Sequence, residues 1–333
     1  MENTENIKNK TIDAAKKSCC QIYSGIGGQA VIEGIMMKNW QEYSVGVRKP
    51  DGTIEVKKDS YTSLTDRYPV LRLPFIRGAF SFLDSMILGM RCLTYSASFF
   101  EDDEDSEPSG LELWLDKVFG EKVEQVISGI TVAFSFVAAI LIFVLLPTLA
   151  VSFLKRFIAS ETVIALLEGL LRVAIFILYI KLVSRMPDIR RTFEYHGAEH
   201  KCINCVEHGL PLTVRNVAAS SKEHKRCGTS FIVYVMLISI LLFMVIRVDN
   251  LMLKFLSRII LIPVIAGVSY EVLRFVGLHD NWFTKLLFIP GMWMQGLTTK
   301  EPDDSQIEVA IAAVEAVFDW RAFERDHFGL EAE

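Results

Sequence analysis

The chain lacks most of what would tie it to a secreted or a nucleic-acid-binding protein. Its first 20 residues are polar and rich in lysine. They have no apolar stretch of the kind a secretory signal needs, so no signal peptide is expected. Only six cysteines occur in 333 residues. A reducing compartment or the membrane is the expected setting for them, without a disulfide framework. The formal net charge of −5 is mild, and no nucleic-acid partner is expected from it. No solenoid-like internal repeat is visible. The stretch "GIGGQAVIEG" (25–34) lacks the Gly-Lys-Ser/Thr ending of a phosphate loop. Strand-like residues follow it instead of a helix, so it reads as a turn into a β unit.

Apolar residues, by contrast, are abundant and concentrated. They make up 51% of the chain, and the mean hydropathy is +0.32. Ile127–Val151 carries no charge over 25 residues, enough to cross a hydrocarbon core of about 30 Å. Thr162–Ser184 is a second candidate span, interrupted by Glu168, Arg172 and Lys181. Ser230–Ile246 is a third, and Phe255–Val276, with Arg258, Glu271 and Arg274, a fourth. Trp282–Leu297 is short and contains Pro290 and Gly291, which suggests a re-entrant or interfacial segment. Ionisable residues inside such runs are functional candidates by default, although Glu168 and Arg172 are spaced to pair with each other. The 185–229 segment carries eight Lys and Arg, whereas the opposite loops hold only Lys155, Arg156, Arg247 and Lys254. The positive-inside rule therefore puts that segment and both termini in the cytoplasm, with the protein multi-pass in the inner (plasma) membrane.

Residues 1–24 read as a flexible tail. The runs "QAVIEGIMM", "YSVGVRK" and "TIEVKK" read as strands, the last two joined by a Pro50-Asp51-Gly52 turn. Arg77–Phe100 reads as a helix, either membrane-associated or buried in the small unit. "EDDEDSEPSG" (101–110) is an acidic linker. Ser305–Phe328 is predicted to be one amphipathic helix opened by a Ser305–Glu308 capping box. The fold expected is mainly α: a polytopic membrane protein with about four transmembrane helices, a small β-rich N-terminal cytoplasmic unit and amphipathic helices. Residues 25–100 form the β unit and its helix, 111–300 the membrane domain, and 301–333 the C-terminal helix.

The densest chemistry lies in "YHGAEHKCINC" (195–205). Pro187-Asp188 opens a helix and Gly209-Leu210-Pro211 ends it. At about 100° per residue, His196, His200 and Glu207 share one face. Two imidazoles at i and i+4 can close on one metal. His196-Gly-Ala-Glu199-His200 matches the inverted zincin pattern H-x-x-E-H, in which the glutamate is the general base. Glu207 is too far along the axis to join them and is better placed to support the site or to dock. Cys202 and Cys205 point away from the histidine face and read as buried thiols. Further ligands are sought in "EHKRCGTSF", which offers His224 and Cys227, and at Glu271. The competing structural reading has solvated His and Glu with ordinary ion pairs, Glu199 with Lys201 or Arg191 with Glu194.

Four strings, "GGQAVIEGIMMK", "YHGAEHK", "HKRCGTSF" and "PGMWMQGLTTKEPDD", together resemble the YqhQ family of bacterial membrane proteins, whose function is unknown and which are often described as predicted metal-dependent enzymes. The resemblance runs from Gly27 to the C-terminal helix. By matching position it marks His196, Glu199, His200, Lys201, Glu207, His224, Arg226, Cys227, Gly228, Thr229 and Ser230, and leaves out Cys202 and Cys205. It implies a cytoplasmic histidine site and supplies no reaction. The leading expectation is a hydrolase with a divalent metal, zinc first, held by His196 and His200, with His224 or Cys227 completing the site. Glu199 is then the base, and Arg226 and Arg274 could stabilise anionic charge. Membrane lipid is an expected partner, with a cytoplasmic protein as another. The rivals are a non-catalytic membrane scaffold with a structural site and a component of a transporter.

Overall fold

The computed structural model describes residues 21–100, 123–246, 248, 250–279 and 281–329. The acidic linker and the tail before residue 21 lie outside the described residues. Four strands come first: β1 (Ile26–Val31), β2 (Gly34–Asn39), β3 (Glu42–Arg48) and β4 (Ile54–Ser60). Helices follow as α1 (Ile76–Ala97), α2 (Val123–Ile140), α3 (Leu146–Ser152), α4 (Glu161–Val183) and α5 (Pro187–Glu207). Then come α6 (Val214–Ala219), α7 (Gly228–Val245), α8 (Leu251–Leu278), α9 (Trp282–Thr298), α10 (Asp304–Val317) and α11 (Trp320–Phe328). The chain divides into two compact units. One is built from the residues up to Phe100, Leu182–Tyr234 and Ala266 onward; the other from Glu101–Lys181 and Val235–Ile265.

In the first unit the strands form an antiparallel meander in sequence order. The run "QAVIEGIMM" is not one strand. It folds back at Ile32-Glu33, pairing Val31 with Gly34 and Gly28 with Met37. Glu33 adopts φ 47° there, a left-handed conformation that costs a non-glycine residue roughly 1–2 kcal/mol. Long-range bonds offset the cost: Arg191 of α5 donates to the Glu33 carboxylate, and Tyr195 Oη lies 3.3 Å from Oε2. Nothing local in the sequence announces such a turn. The Pro50-Asp51-Gly52 turn does form as its composition indicates, with Gly52 at φ 84° and Thr53 N–H donating to Asp51 Oδ1 at 2.9 Å.

Both faces of this sheet are covered, because alternate residues are apolar in both directions. Ile26, Ile35 and Met37 pack with α5 and α10, while Met36, Tyr43, Val45 and Val47 pack with Leu88 and Cys92 of α1. Ser44 and Gly46 keep the first face flat enough for α10 to lie on it. Ser44 Oγ donates to the Ala313 carbonyl at 2.6 Å, and a Cβ on Gly46 would meet the Val309 carbonyl at 3.2 Å. The helix beside the strands is thus half buried by the small unit. Its other side leaves Phe82, Leu83, Met86, Ile87 and Met90 exposed.

The C-terminal segment is two helices, not one. Its cap is Asp303 with Gln306, which form a reciprocal capping box, and Ser305 only donates to Asp303 Oδ1 at 2.6 Å. An aspartate two residues earlier offers the stronger acceptor to the same first turn. The helix stops at Phe318, whose backbone is extended, and Asp319 caps α11.

Four helices are long and apolar enough to cross a membrane: Gly129–Ser152, Glu161–Val183, Gly228–Val245 and Met252–Leu278. They match the four runs read from the sequence to within a few residues. The first carries a π-turn at Leu141–Leu145, next to Pro147. Proline cannot donate to the carbonyl four residues back, which is that of Phe143; Arg172 Nε donates to it instead, at 2.9 Å. The fifth run is an unbroken helix, α9, through Pro290. Tyr234 Oη donates to the Leu287 carbonyl at 3.2 Å in the turn that the proline disturbs.

Candidate metal centre

The site is assembled within the first unit by α5, the loop before α7, and the segment after α9. From Tyr195 to Glu207, α5 is buried at every position except His196, unusual for a stretch with so many polar residues. Each polar group there has a partner. Lys201 Nζ donates to the carbonyls of Ala218 and Ser220 at 2.8 and 2.9 Å and pairs with Glu301 at 2.6 Å. Asn204 donates to the carbonyls of Ser221 and Glu223. The ion pairs weighed from sequence are replaced: Lys201 takes Glu301 in place of Glu199, and Arg191 takes Glu33 while Arg190 takes Glu194.

His196 and His200 stand one turn apart with ring centroids 4.4 Å from each other. Nδ1 of His196 is 3.0 Å from the Thr298 carbonyl oxygen, and Nδ1 of His200 is 2.6 Å from that of Lys222. A carbonyl only accepts, so each Nδ1 carries a proton and Nε2 is the ring atom turned toward the rest of the group. Gly197 makes this possible. A Cβ there would run into the Lys300 carbonyl, so only glycine lets the 298–300 backbone cross α5 closely. Lys300 N–H then donates to the Phe193 carbonyl at 2.9 Å.

Cys227 completes the group. Its Sγ lies 3.3 Å from His196 Nε2, and the ligand atoms of His196, His200 and Cys227 all fall within 4.8 Å of one another. The thiol sits at the start of α7, where Thr229 N–H donates to it at 3.4 Å. Burial alone would push its pKa up. The facing His196 and His200 outweigh that and hold it well below the ordinary thiol range. Burial likewise pushes His196 down, yet the Cys227 charge beside it raises it to about 9.

Glu199 is buried beside the pair and packs against β1, where a Cβ on Gly28 would meet its Cγ at 2.9 Å. Burial raises its pKa against the pull of His200 and His196. His224 stands apart from the ligand group. Its ring centroid is 5.6 Å from that of His200, and its Nε2 faces Glu207 Oε2 at 3.6 Å. Burial lowers its pKa. Glu207 is fully buried and accepts from Gln21 Nε2 at 2.8 Å, from Ser24 N–H and Oγ at 3.1 and 2.9 Å, and from Arg226. Although burial opposes it, the His224 and Arg226 partners lower this carboxyl to about 2. Residues 21–24, read as the end of a free tail, are therefore tied down, and Arg226 also stacks on the Tyr23 ring at 4.1 Å.

Glu271 does not reach the histidines. It pairs with Arg77 of α1 and accepts from the Phe75 N–H at 3.2 Å; Arg274 is exposed one turn on. Cys202 and Cys205 are buried in the apolar core, where burial raises the first and pushes the second up to about 12. Missing from the sequence reading were the backbone carbonyls of Lys222 and Thr298, which orient the rings, and Gln295. That buried amide accepts from His224 N–H at 2.9 Å and donates to the His224 carbonyl and Ser230 Oγ. Its signal was the string "PGMWMQGLTTKEPDD", singled out without a role.

Residues 73–320 match a family described as "Protein of unknown function (DUF1385)". The chain is also similar to "Uncharacterized protein YqhQ" of Bacillus subtilis (strain 168), 36% identical over 295 residues, which are 86% of this chain and 89% of that protein. No solved structure matches.

Proposed function

From the premise that the chain belongs to the DUF1385 family, together with the YqhQ protein, we propose a metal-dependent membrane hydrolase whose centre is held by His196, His200 and Cys227. One observation carries the reading: three donor atoms within 4.8 Å of one another, the two imidazoles already oriented through Nδ1. Metal-ligating histidines nearly always give the second nitrogen to a carbonyl or carboxylate. A tetrahedral zinc with Zn–N of about 2.0 Å and Zn–S of about 2.3 Å would space its ligands by about 3.3–3.8 Å. The Cys227–His196 separation of 3.3 Å is close to the sulfur–nitrogen edge of about 3.5 Å that these bond lengths give. Three protein ligands leave a fourth position open, as in catalytic zinc sites. His224 is the further ligand that the sequence suggested; its bond to Glu207 makes it a support for the loop that carries Cys227.

A divalent ion held by these residues would supply an acidified water and polarise a substrate oxygen. Glu199, buried beside the histidines, would be the general base for that water's proton. Arg226 keeps Glu207 charged and holds the 224–227 loop against α5. The four apolar helices cross the inner membrane with both termini cytoplasmic. The exposed apolar residues of α1, and Trp282, Leu286, Ile289 and Trp293 of α9, rest in the lipid interface. Substrates are peptide or lipid-linked.

The scaffold reading draws on a different observation. Cys227 and His196 satisfy each other at 3.3 Å without any ion, and Glu207 ties the N-terminal segment to the same knot. The two readings separate by metal content. Mass spectrometry of detergent-purified protein is expected to give about one zinc per chain, lost in His196→Ala/His200→Ala and reduced in Cys227→Ser. Glu199→Gln is expected to keep the metal and lose hydrolysis of fluorogenic peptide or acyl-lipid probes. No metal in a folded parent would leave the scaffold standing.

A further inference from the structure

The second unit holds a group of charges that this function does not use. Glu168 of α4, 2% exposed, is bonded by Arg172 Nη2 at 3.2 Å, Lys254 Nζ at 3.1 Å and Arg258. Thr148 Oγ1 donates to the same carboxylate at 2.9 Å. Arg172 and Arg258 both lie over the Phe243 ring, at 5.6 and 5.1 Å from its centroid. Among the described residues, three cations thus share one carboxylate inside mainly apolar helices.

This ratio matters energetically. A charge taken out of water costs several kcal/mol unless it is paired. In a membrane span, such residues generally line a pathway or a binding site. The i,i+4 partner, Arg172, would by itself have neutralised Glu168. Among the described residues, Lys254 and Arg258 are an excess over what pairing with Glu168 requires. The donors are also held in place: the Phe143 carbonyl fixes Arg172 Nε, because Pro147 leaves that carbonyl free, and Arg258 Nη1 donates to Thr148 Oγ1 and faces Glu168. Two guanidiniums and an ammonium around one point match a tetrahedral oxyanion better than a planar carboxylate. Lys254 lies near the start of α8 and keeps 19% of its side chain exposed, so the group is reached from that end of the helix.

We propose that Arg172, Lys254 and Arg258, with Glu168 as their organiser, form a binding site for a phosphate-bearing anion. Two sources share that chemistry, the headgroup of an anionic phospholipid and free phosphate. The site is independent of the metal centre, and its test does not use hydrolysis.

The test is the thermal unfolding of the full-length protein in neutral detergent. The probes are phosphatidylglycerol, phosphatidylcholine and inorganic phosphate, each added to the parent and to Lys254→Gln and Glu168→Gln. Stabilisation by phosphatidylglycerol and not phosphatidylcholine, with apparent affinity weakened about tenfold in Lys254→Gln, supports the lipid source. Stabilisation by inorganic phosphate with the same loss supports the free anion. Glu168→Gln, which removes the carboxylate that orders the three cations, is expected to weaken binding of the same probe, and binding as tight as in the parent would overturn its role as organiser. Should that variant fail to fold, native mass spectrometry of parent and Lys254→Gln with the same probes decides. No response to either phosphate probe, or equal responses in parent and Lys254→Gln, overturns the proposal.

Discussion

At position 197 one methyl group separates a closed site from an open one. Alanine is the better helix former by about 1 kcal/mol, so on propensity alone Gly197→Ala should stabilise α5. The Lys300 carbonyl occupies the place of the added Cβ, and backbone cannot rotate away as a side chain can. The variant is therefore expected to be less stable by about 1–3 kcal/mol and to lose metal, since the Thr298 contact to His196 moves with Lys300. Urea unfolding and metal analysis check both; a stabilised, metal-replete variant would contradict the geometry.

Glu324 is a second residue whose environment makes a prediction. It is 1% exposed, and its Oε1 has no hydrogen-bond partner. Burial raises its pKa from 4.5 to about 7. An acid with a raised folded pKa binds its proton more tightly when folded. Its effect on stability is absent below about pH 4.5, where both states are protonated. Stability then falls as pH rises from there to about 7, and the loss is constant above. Glu324→Gln should thus raise the melting temperature at pH 8 more than at pH 5. An equal shift at both would mean that the carboxyl ionises normally.

Among the elements, α10 shows how close alternatives are resolved. Ser305-x-x-Glu308 is the capping box read from the sequence, and Asp303-x-x-Gln306, two residues earlier, has the same spacing. The chain uses the second, with Asp303 Oδ1 accepting from Gln306 N–H at 2.9 Å. Asp303→Ala is expected to cost about 1 kcal/mol and Ser305→Ala much less, measured by chemical unfolding in detergent; the reverse order would return the cap to Ser305. The β1–β2 turn is a stricter case. Neither Ile32 nor Glu33 is a turn residue, and the turn is held by groups distant in the chain: Arg191 and Tyr195 at the Glu33 carboxylate, Arg48 N–H at the Glu33 carbonyl and Ser96 Oγ at the Ile32 N–H. The long helix α5 was legible because Pro187 and Gly209 bracket it, and its register followed from about 3.6 residues per turn.

For the whole molecule, the distribution of basic residues predicts sidedness. In intact cells, a membrane-impermeant maleimide should label Phe157→Cys, in the loop between the first two spans, and leave Arg190→Cys unlabelled until the cells are opened. Both positions are exposed, so access to the residue is not the variable. External labelling at 190 would invert the orientation.

The linear chain determined what depends on local composition and periodicity: four apolar helices, the β3 and β4 strands with their Pro50-Asp51-Gly52 turn, and the one-face placement of His196 and His200 with Cys202 and Cys205 turned away. These follow from bond geometry and the burial of apolar surface, which act over a few residues. Only the tertiary structure decided which groups meet. It brought Cys227 to the imidazoles, sent His224 to Glu207 and Glu271 to Arg77, and gave Glu168 three cations. Those choices rest on side chains and carbonyls far apart in the chain. Desolvation makes each unpaired buried polar group costly, and the partner is whichever group the packing of the helices brings within reach.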